Sequence, residues 1–261
     1  MFFLYVFTFL YLIFRKITIV CSITFTTIKF LSINTNLSRP VIEDFIARVP
    51  PDRVHYIHAA LQVEERLARE EIGLFLDRAK RLRQAGFFVM CSVVMTPVRI
   101  ADYPVYEDLF GAQGFALHPK VLRGAHAGKV FPDAYTPEER MLLRRYIARA
   151  ATFQGAGPWP MGEAPTIDLY TEAGLIEGRR DYSGRLCASG SRFVRIEPDG
   201  SVFRCGTTET LGKLLENNLR LLTAPRPCDT SYCPYFCEKY TRPEFLDARV
   251  ERAEPGFRTP G

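Results

Sequence analysis

Short apolar runs alternate along this chain with longer stretches in which apolar residues recur every three to four positions. "IKFLSINTNLS", residues 28–38, reads as a buried strand that ends in a polar turn, and "SRPVIEDFIARV" follows as a short helix with Pro40 near its first turn. "RVHYIHAAL" alternates as a strand does. The stretch from Glu64 to Ala85 then carries Leu67, Ile72, Phe75, Leu76, Ala79 and Leu82 at helical spacing, with Gly86 as its stop. "FFVMCSVVMTP" has strand length and is closed by Pro97, "DYPVYEDLFGA" suits a short helix, and "GFALHPKVL" is a further strand. "YTPEERMLLRRYIARA" has a helix start written into it, with Thr136 as cap, Pro137 at the first helical position and Glu139 completing a capping box.

Strand and helix alternating in this way predict βα units on a parallel sheet, because near-continuous apolar strands need helices to cover them. The expected fold over residues 28–155 is α/β, βα units on a parallel sheet. A Gly/Pro-rich break from Gly155 to Pro165 ends it. Beyond the break the period shortens. "RFVRIEPDGSVFRC" is two alternating runs joined by Pro198-Asp199-Gly200, which is hairpin chemistry, and Leu211–Leu222 is predicted helical. A small cysteine-rich α+β unit is expected over residues 166–240, with residues 241–261 as a tail.

Composition changes the picture at one end only. The 261 residues are 47% hydrophobic and 24% charged with a net charge of +5, an ordinary soluble balance that gives no reason to expect a nucleic-acid partner. Residues 1–36, however, contain no Ala, Gly, Pro, Asp or Glu, whereas the rest is rich in them. The uncharged run from Met1 to Phe14 falls short of the ~20 residues of a membrane span, and Arg15-Lys16 interrupts it. It has neither a basic region ahead of the apolar stretch nor a small-residue cleavage site, so it makes a poor secretory signal. Residues 1–27 are therefore expected to be a misassigned start, with a membrane anchor as the lesser alternative, and the protein is expected in the cytoplasm.

The cysteines carry the candidate chemistry. Cys21 and Cys91 stand alone, while Cys187, Cys205, Cys228, Cys233 and Cys237 share one window. Cys187 precedes the predicted hairpin and Cys205 ends it, so the hairpin can bring both to one end of a small sheet. Thiolates at this density suit zinc or an iron–sulfur cluster. Structural zinc generally uses paired knuckles of two to four intervening residues, and seventeen separate the first two cysteines here, which disfavours zinc without removing it. The four histidines His55, His58, His118 and His126 show no metal spacing with one another.

"CASGSRFVRIEPDGSVFRC" followed by "CDTSYCPYFC" resembles the SPASM or twitch auxiliary-cluster domain of radical S-adenosylmethionine (radical SAM) enzymes. The upstream units are similar to the later strands of that family's partial barrel, "LSINTNLS" to the third, "VHYIHAALQ" to the fourth and "FFVMCSVVMTP" to the fifth, which implies a partial TIM-type βα barrel over residues 28–155, with His58 on a strand that would face its interior. The resemblance implies one auxiliary 4Fe-4S cluster, with Cys187, Cys205, Cys233 and Cys237 as ligands and Cys228 as alternate. It also implies S-adenosylmethionine near Asn34, Asn36 and His58, an electron donor such as a flavodoxin or ferredoxin, and a peptide or small-metabolite substrate. In the family, a CxxxCxxC loop ligates the cluster that cleaves S-adenosylmethionine to a radical. This chain contains no CxxxCxxC and no Gly-Gly-Glu segment, and Ala60 stands where a polar strand residue is expected. The expectation is thus a radical SAM-like iron–sulfur protein, a truncated or mis-started redox enzyme acting on a peptide or small metabolite, whose sequence as given lacks the radical-generating loop. The alternatives are a non-catalytic electron-transfer or binding protein and a zinc-stabilised module.

Overall fold

The computed structural model describes residues 3–7, 30–155, 172, 174–178, 182–191, 193–197, 199–205, 209–214, 216 and 218–229. Cys21, Cys233 and Cys237 lie outside these residues. The strands are β1 (Phe3–Phe7), β2 (Phe30–Thr35), β3 (Val54–Leu61), β4 (Val89–Met95) and β5 (Leu117–Val121), then the hairpin β6 (Gly124–His126) and β7 (Lys129–Phe131). Further along come β8 (Leu186–Cys187), β9 (Phe193–Ile196), β10 (Ser201–Phe203), β11 (Thr210–Lys213) and β12 (Arg226–Pro227). The intervening α-helices are α1 (Ile42–Arg48), α2 (Val63–Ala68), α3 (Ile72–Gln84), α4 (Pro97–Gly111) and α5 (Pro137–Gly155). Among the described residues no helix is long and apolar enough to cross a membrane.

The protein is α/β, and β1 to β5 pair in parallel in sequence order. β1 also pairs in parallel with β9, so the β9–β10–β11 meander continues the same sheet in the order β11-β10-β9-β1-β2-β3-β4-β5. The amino-terminal Phe3–Phe7 therefore supplies a strand inside the sheet. Among the described residues a larger and a smaller core stay separate. The larger buries Ile33, Ile57, Ala59, Cys91, Val93, Met95 and Leu117 against helix residues such as Phe75, Ala79, Ile100, Phe110 and Leu143, and the smaller gathers Val194, Ile196, Val202 and Leu211.

The elements start and stop largely where the sequence signals them. The Thr136 capping box forms: its N–H donates to Glu139 at 2.8 Å, and the Glu139 N–H donates to the Thr136 hydroxyl at 3.2 Å. Three expectations are corrected. The helix expected over Glu64–Ala85 is two helices, because Glu70 takes a left-handed φ of 56° and α3 starts afresh beyond it. The helix expected from Asp102 begins at Pro97, whose missing N–H costs nothing at a first position while Thr96 accepts from the Arg99 N–H at 3.2 Å. The helix expected over Leu211–Leu222 does not form. Thr210–Lys213 instead joins β10 as a strand, so Leu211 enters the small core by strand pairing, and Leu222 packs against that core from outside any regular element. The β6–β7 hairpin was not expected; Ala127 and Gly128, at φ of 48° and 75°, turn it in the sense that suits twisted strands.

Candidate functional site

Successive strand residues face opposite sides of a sheet, so the helix-covered side fixes what the other side carries. Ile33, Ile57, Cys91, Val93 and Leu117 meet the helices. The alternate positions Asn34, His58, Ser92 and His118 therefore form a row across the other face, one from each of β2, β3, β4 and β5. All four are buried.

The row is hydrogen-bonded end to end over three of its members. His58 Nδ1 lies 2.6 Å from Asn34 Oδ1, and His58 Nε2 lies 2.6 Å from Ser92 Oγ. An amide oxygen can only accept, so Nδ1 carries the proton and Nε2 is left to accept the Ser92 hydroxyl proton. Ser92 consequently offers only its oxygen lone pairs to anything else that approaches. Burial, with the charge of Lys120 and the neighbouring His118, holds His58 well below the ordinary histidine range, so the ring is neutral. Ser92 pairs in register with His118, which burial and Lys120 push down to about 4. His118 Nδ1 is buried with no hydrogen-bond partner among the described residues.

At the carboxyl end of β2 the chain is held in a strained turn. Leu37, 1% exposed, has φ of 53°, its carbonyl accepts from Arg78 at 2.6 Å, and the Asn36 carbonyl accepts from buried Arg66. Asn36 is engaged in the same turn, accepting from the Ser38 N–H at 3.1 Å and donating to Gln62 at 2.9 Å. Of the residues expected near a cofactor, Asn34 and His58 thus stand together on the polar face, whereas Asn36 ties β2 to the end of β3. Ser92 and His118 were not singled out in the sequence. Their only signal is a polar residue recurring at the inward positions of otherwise apolar strands.

The second candidate is the cysteine region. The hairpin expected between Cys187 and Cys205 forms as β9 and β10, with the Gly200 N–H on the Glu197 carbonyl at 2.9 Å. Cys187 pairs with Arg226 in the β8–β12 ladder, two residues from Cys228. The Cys228 N–H donates to the Arg185 carbonyl at 2.8 Å, and the Cys228 carbonyl accepts from the Gly184 N–H at 2.9 Å. Ser189, two residues past Cys187, donates through its hydroxyl to the Arg204 carbonyl, next to Cys205. Three cysteine-bearing segments are in this way bonded to one another.

Space is tight at their junction. A Cβ on Gly190, which has φ of 91°, would stand 2.8 Å from a Leu222 methyl and 3.0 Å from the Arg204 side chain. The Ser189 N–H points to Cys187 Sγ at 3.4 Å, the geometry that stabilises a thiolate bound to metal. Among the described residues no three His, Cys, Asp or Glu side chains stand as a closed metal-ligand group. The donor chemistry and the stitched segments nevertheless fit a thiolate-ligated centre, with Cys233 and Cys237 outside the described residues. Cys91 takes no part. It is buried in the helix-side core, where burial pushes its thiol up, which makes it an inert apolar residue.

A cleft of about 330 Å³ lies elsewhere, between Glu107, Phe115, Leu117 and Arg149 at the start of β5. The Arg149 guanidinium is spent there on Glu107, forming two hydrogen bonds to its carboxylate.

No protein-family model and no curated protein matches the chain. Among solved structures, polyhistidine-tagged anSMEcpe with bound AdoMet aligns at a TM-score of 0.46 and 11% identity, over 78% of this chain and 57% of that one. Native anSMEcpe with bound AdoMet and Kp18Cys peptide aligns at 0.45 and 13%, over 72% and 55%. The chain thus spans little more than half the length of these proteins.

Proposed function

We propose that this chain is a radical SAM-like iron–sulfur protein whose carboxy-terminal region holds one auxiliary 4Fe-4S cluster, and that it serves a redox reaction on a peptide or small metabolite. The observation that carries the reading is the bonding of the Cys187, Cys205 and Cys228 segments to one another across β8, β12 and the β9–β10 hairpin. Cys187, Cys205, Cys233 and Cys237 are the assigned ligands and Cys228 the alternate. Such a cluster supplies one-electron chemistry when bound. The chain's own contribution is to hold sulfurs in place and to donate hydrogen bonds to them, as Ser189 does to Cys187.

The polar row of Asn34, His58, Ser92 and His118 is assigned as the face that meets cofactor or substrate. It is made of neutral groups, with the donor and acceptor roles of Asn34, His58 and Ser92 set by their mutual hydrogen bonds, which orient a ligand rather than trap a charge. The chain contains no CxxxCxxC, so generation of a radical from S-adenosylmethionine requires that loop from elsewhere.

The test is anaerobic iron–sulfide reconstitution of the full chain with single cysteine variants. Broad visible absorbance that is lost in Cys187→Ala and Cys205→Ala and kept in Cys91→Ala supports the assignment. Equal absorbance in all three overturns it.

A further inference from the structure

Arg204 is the residue on which the cysteine region converges. Its side chain is 6% exposed, and it immediately precedes Cys205. Its Nε donates to the Ser189 carbonyl at 3.3 Å, and its Nη2 donates to the carbonyls of Arg226 and Pro227, each at 3.0 Å. One guanidinium therefore binds the segment after Cys187 and the segment before Cys228 while anchored beside Cys205. Its own backbone adds the carbonyl bond from the Ser189 hydroxyl and an N–H donated to the Glu209 carbonyl at 3.1 Å.

Hydrogen bonds alone would make Arg204 a structural staple. The charge balance points further. Its carboxylate neighbour is Glu209, at 3.6 Å, and Glu209 is shared with Arg226 at 3.1 Å. Arg195, which donates to the Cys205 carbonyl at 3.0 Å, is already paired with Glu197. Among the described residues two guanidinium groups thus share one carboxylate, and the buried one has the longer contact. A buried cation without a full countercharge is destabilising. Negative charge on sulfurs of the segments that its guanidinium bonds, those of Cys187 and Cys228, and of its chain neighbour Cys205 would supply the missing countercharge.

We propose that Arg204 is a positioning residue and built-in countercharge for a thiolate centre formed by the Cys187, Cys205 and Cys228 segments, and that its charge raises the reduction potential of an iron–sulfur cluster bound there. The proposal rests on the iron–sulfur reading above. A nearby fixed cation favours the more negative, reduced cluster, and net charge is one of the terms that set such potentials. Lysine at this position keeps the charge but loses the planar fork that reaches three carbonyls. Glutamine loses both.

The full chain is reconstituted as wild type, Arg204→Lys and Arg204→Gln, with iron and sulfide quantified, the midpoint potential read by EPR-monitored redox titration, and folding read by circular dichroism. Both variants should load at least twofold less cluster. Arg204→Lys should keep the wild-type potential, and Arg204→Gln should shift the reduction equilibrium at least tenfold toward the oxidised form, about 59 mV for one electron. Full loading of Arg204→Gln at the wild-type potential overturns the proposal, as does an equal potential shift in both variants. If Arg204→Gln does not fold, Arg204→Lys decides: an unchanged potential supports the countercharge role, and a tenfold shift refutes it. A wild type that takes up neither iron nor sulfide refutes the iron–sulfur reading itself.

Discussion

His118 makes the stability of this protein sensitive to acid in a way that can be worked out in advance. Its ring is buried on the polar face of β5, and burial with the nearby charge of Lys120 pushes its pKa down to about 4. An unfolded chain holds the same ring near ~6.5. Above pH 6.5 the ring is neutral in both states and contributes nothing to pH dependence. Between 6.5 and 4 the unfolded chain takes up a proton that the folded protein refuses, so folding stability falls as pH falls, and the loss levels off below 4. At about 1.4 kcal/mol per unit the full loss is about 3 kcal/mol, and about 2.5 kcal/mol is already lost at pH 4.5. His58, shifted in the same direction, adds to it. The perturbation is His118→Asn, and the assay is urea unfolding of wild type and variant from pH 7.5 to 4.5. Protonation of carboxylates is common to both and cancels in the difference. The wild type should lose about 2.5 kcal/mol relative to the variant across that range. Two parallel stability curves would refute a buried, neutral His118.

Three further substitutions test the local physics. Glu70→Gly should stabilise the protein by about 0.5–1 kcal/mol, because Glu70 is exposed and held at φ of 56°, where a Cβ is penalised; a lowered melting temperature would show that the α2–α3 break is not set by that backbone cost. Thr136→Ala should cost about 1 kcal/mol in urea unfolding through loss of the α5 capping box. An unchanged midpoint would mean that tertiary packing alone holds the helix start. Gly190→Ala, forced against Leu222 and Arg204 at a positive φ, should destabilise by more than about 1 kcal/mol and reduce iron uptake with it, and full iron uptake would separate the glycine from the cysteine region.

Much of the sheet is legible in the sequence because one face of it is covered by helices. Packing against the helices sets Ile57, Ala59 and Leu61 at alternate positions of "RVHYIHAAL" and gives the helix from Ile72 its period of three to four, and both can be read without neighbours. Elements fixed by single backbone conformations are not legible. Glu70 breaks a helix without glycine or proline, and the Leu211 strand pairs with β10 although its composition suits a helix equally well. The cysteine window is visible from its density. The bonding of its segments is not, since Arg204 reaches carbonyls 15, 22 and 23 residues away. The polar row is legible only in part. Asn34 and His58 lie on strands where alternation assigns them inward, but the meeting of His58 with Ser92 depends on register between strands 34 residues apart.

The most direct measurement is the iron, sulfide and zinc content of the anaerobically reconstituted full chain, with its visible spectrum recorded on the same sample. About four irons and four sulfides per chain with broad visible absorbance is the expected result for one cubane cluster. One zinc, no sulfide and no colour would contradict it and leave the cysteine region as a structural staple.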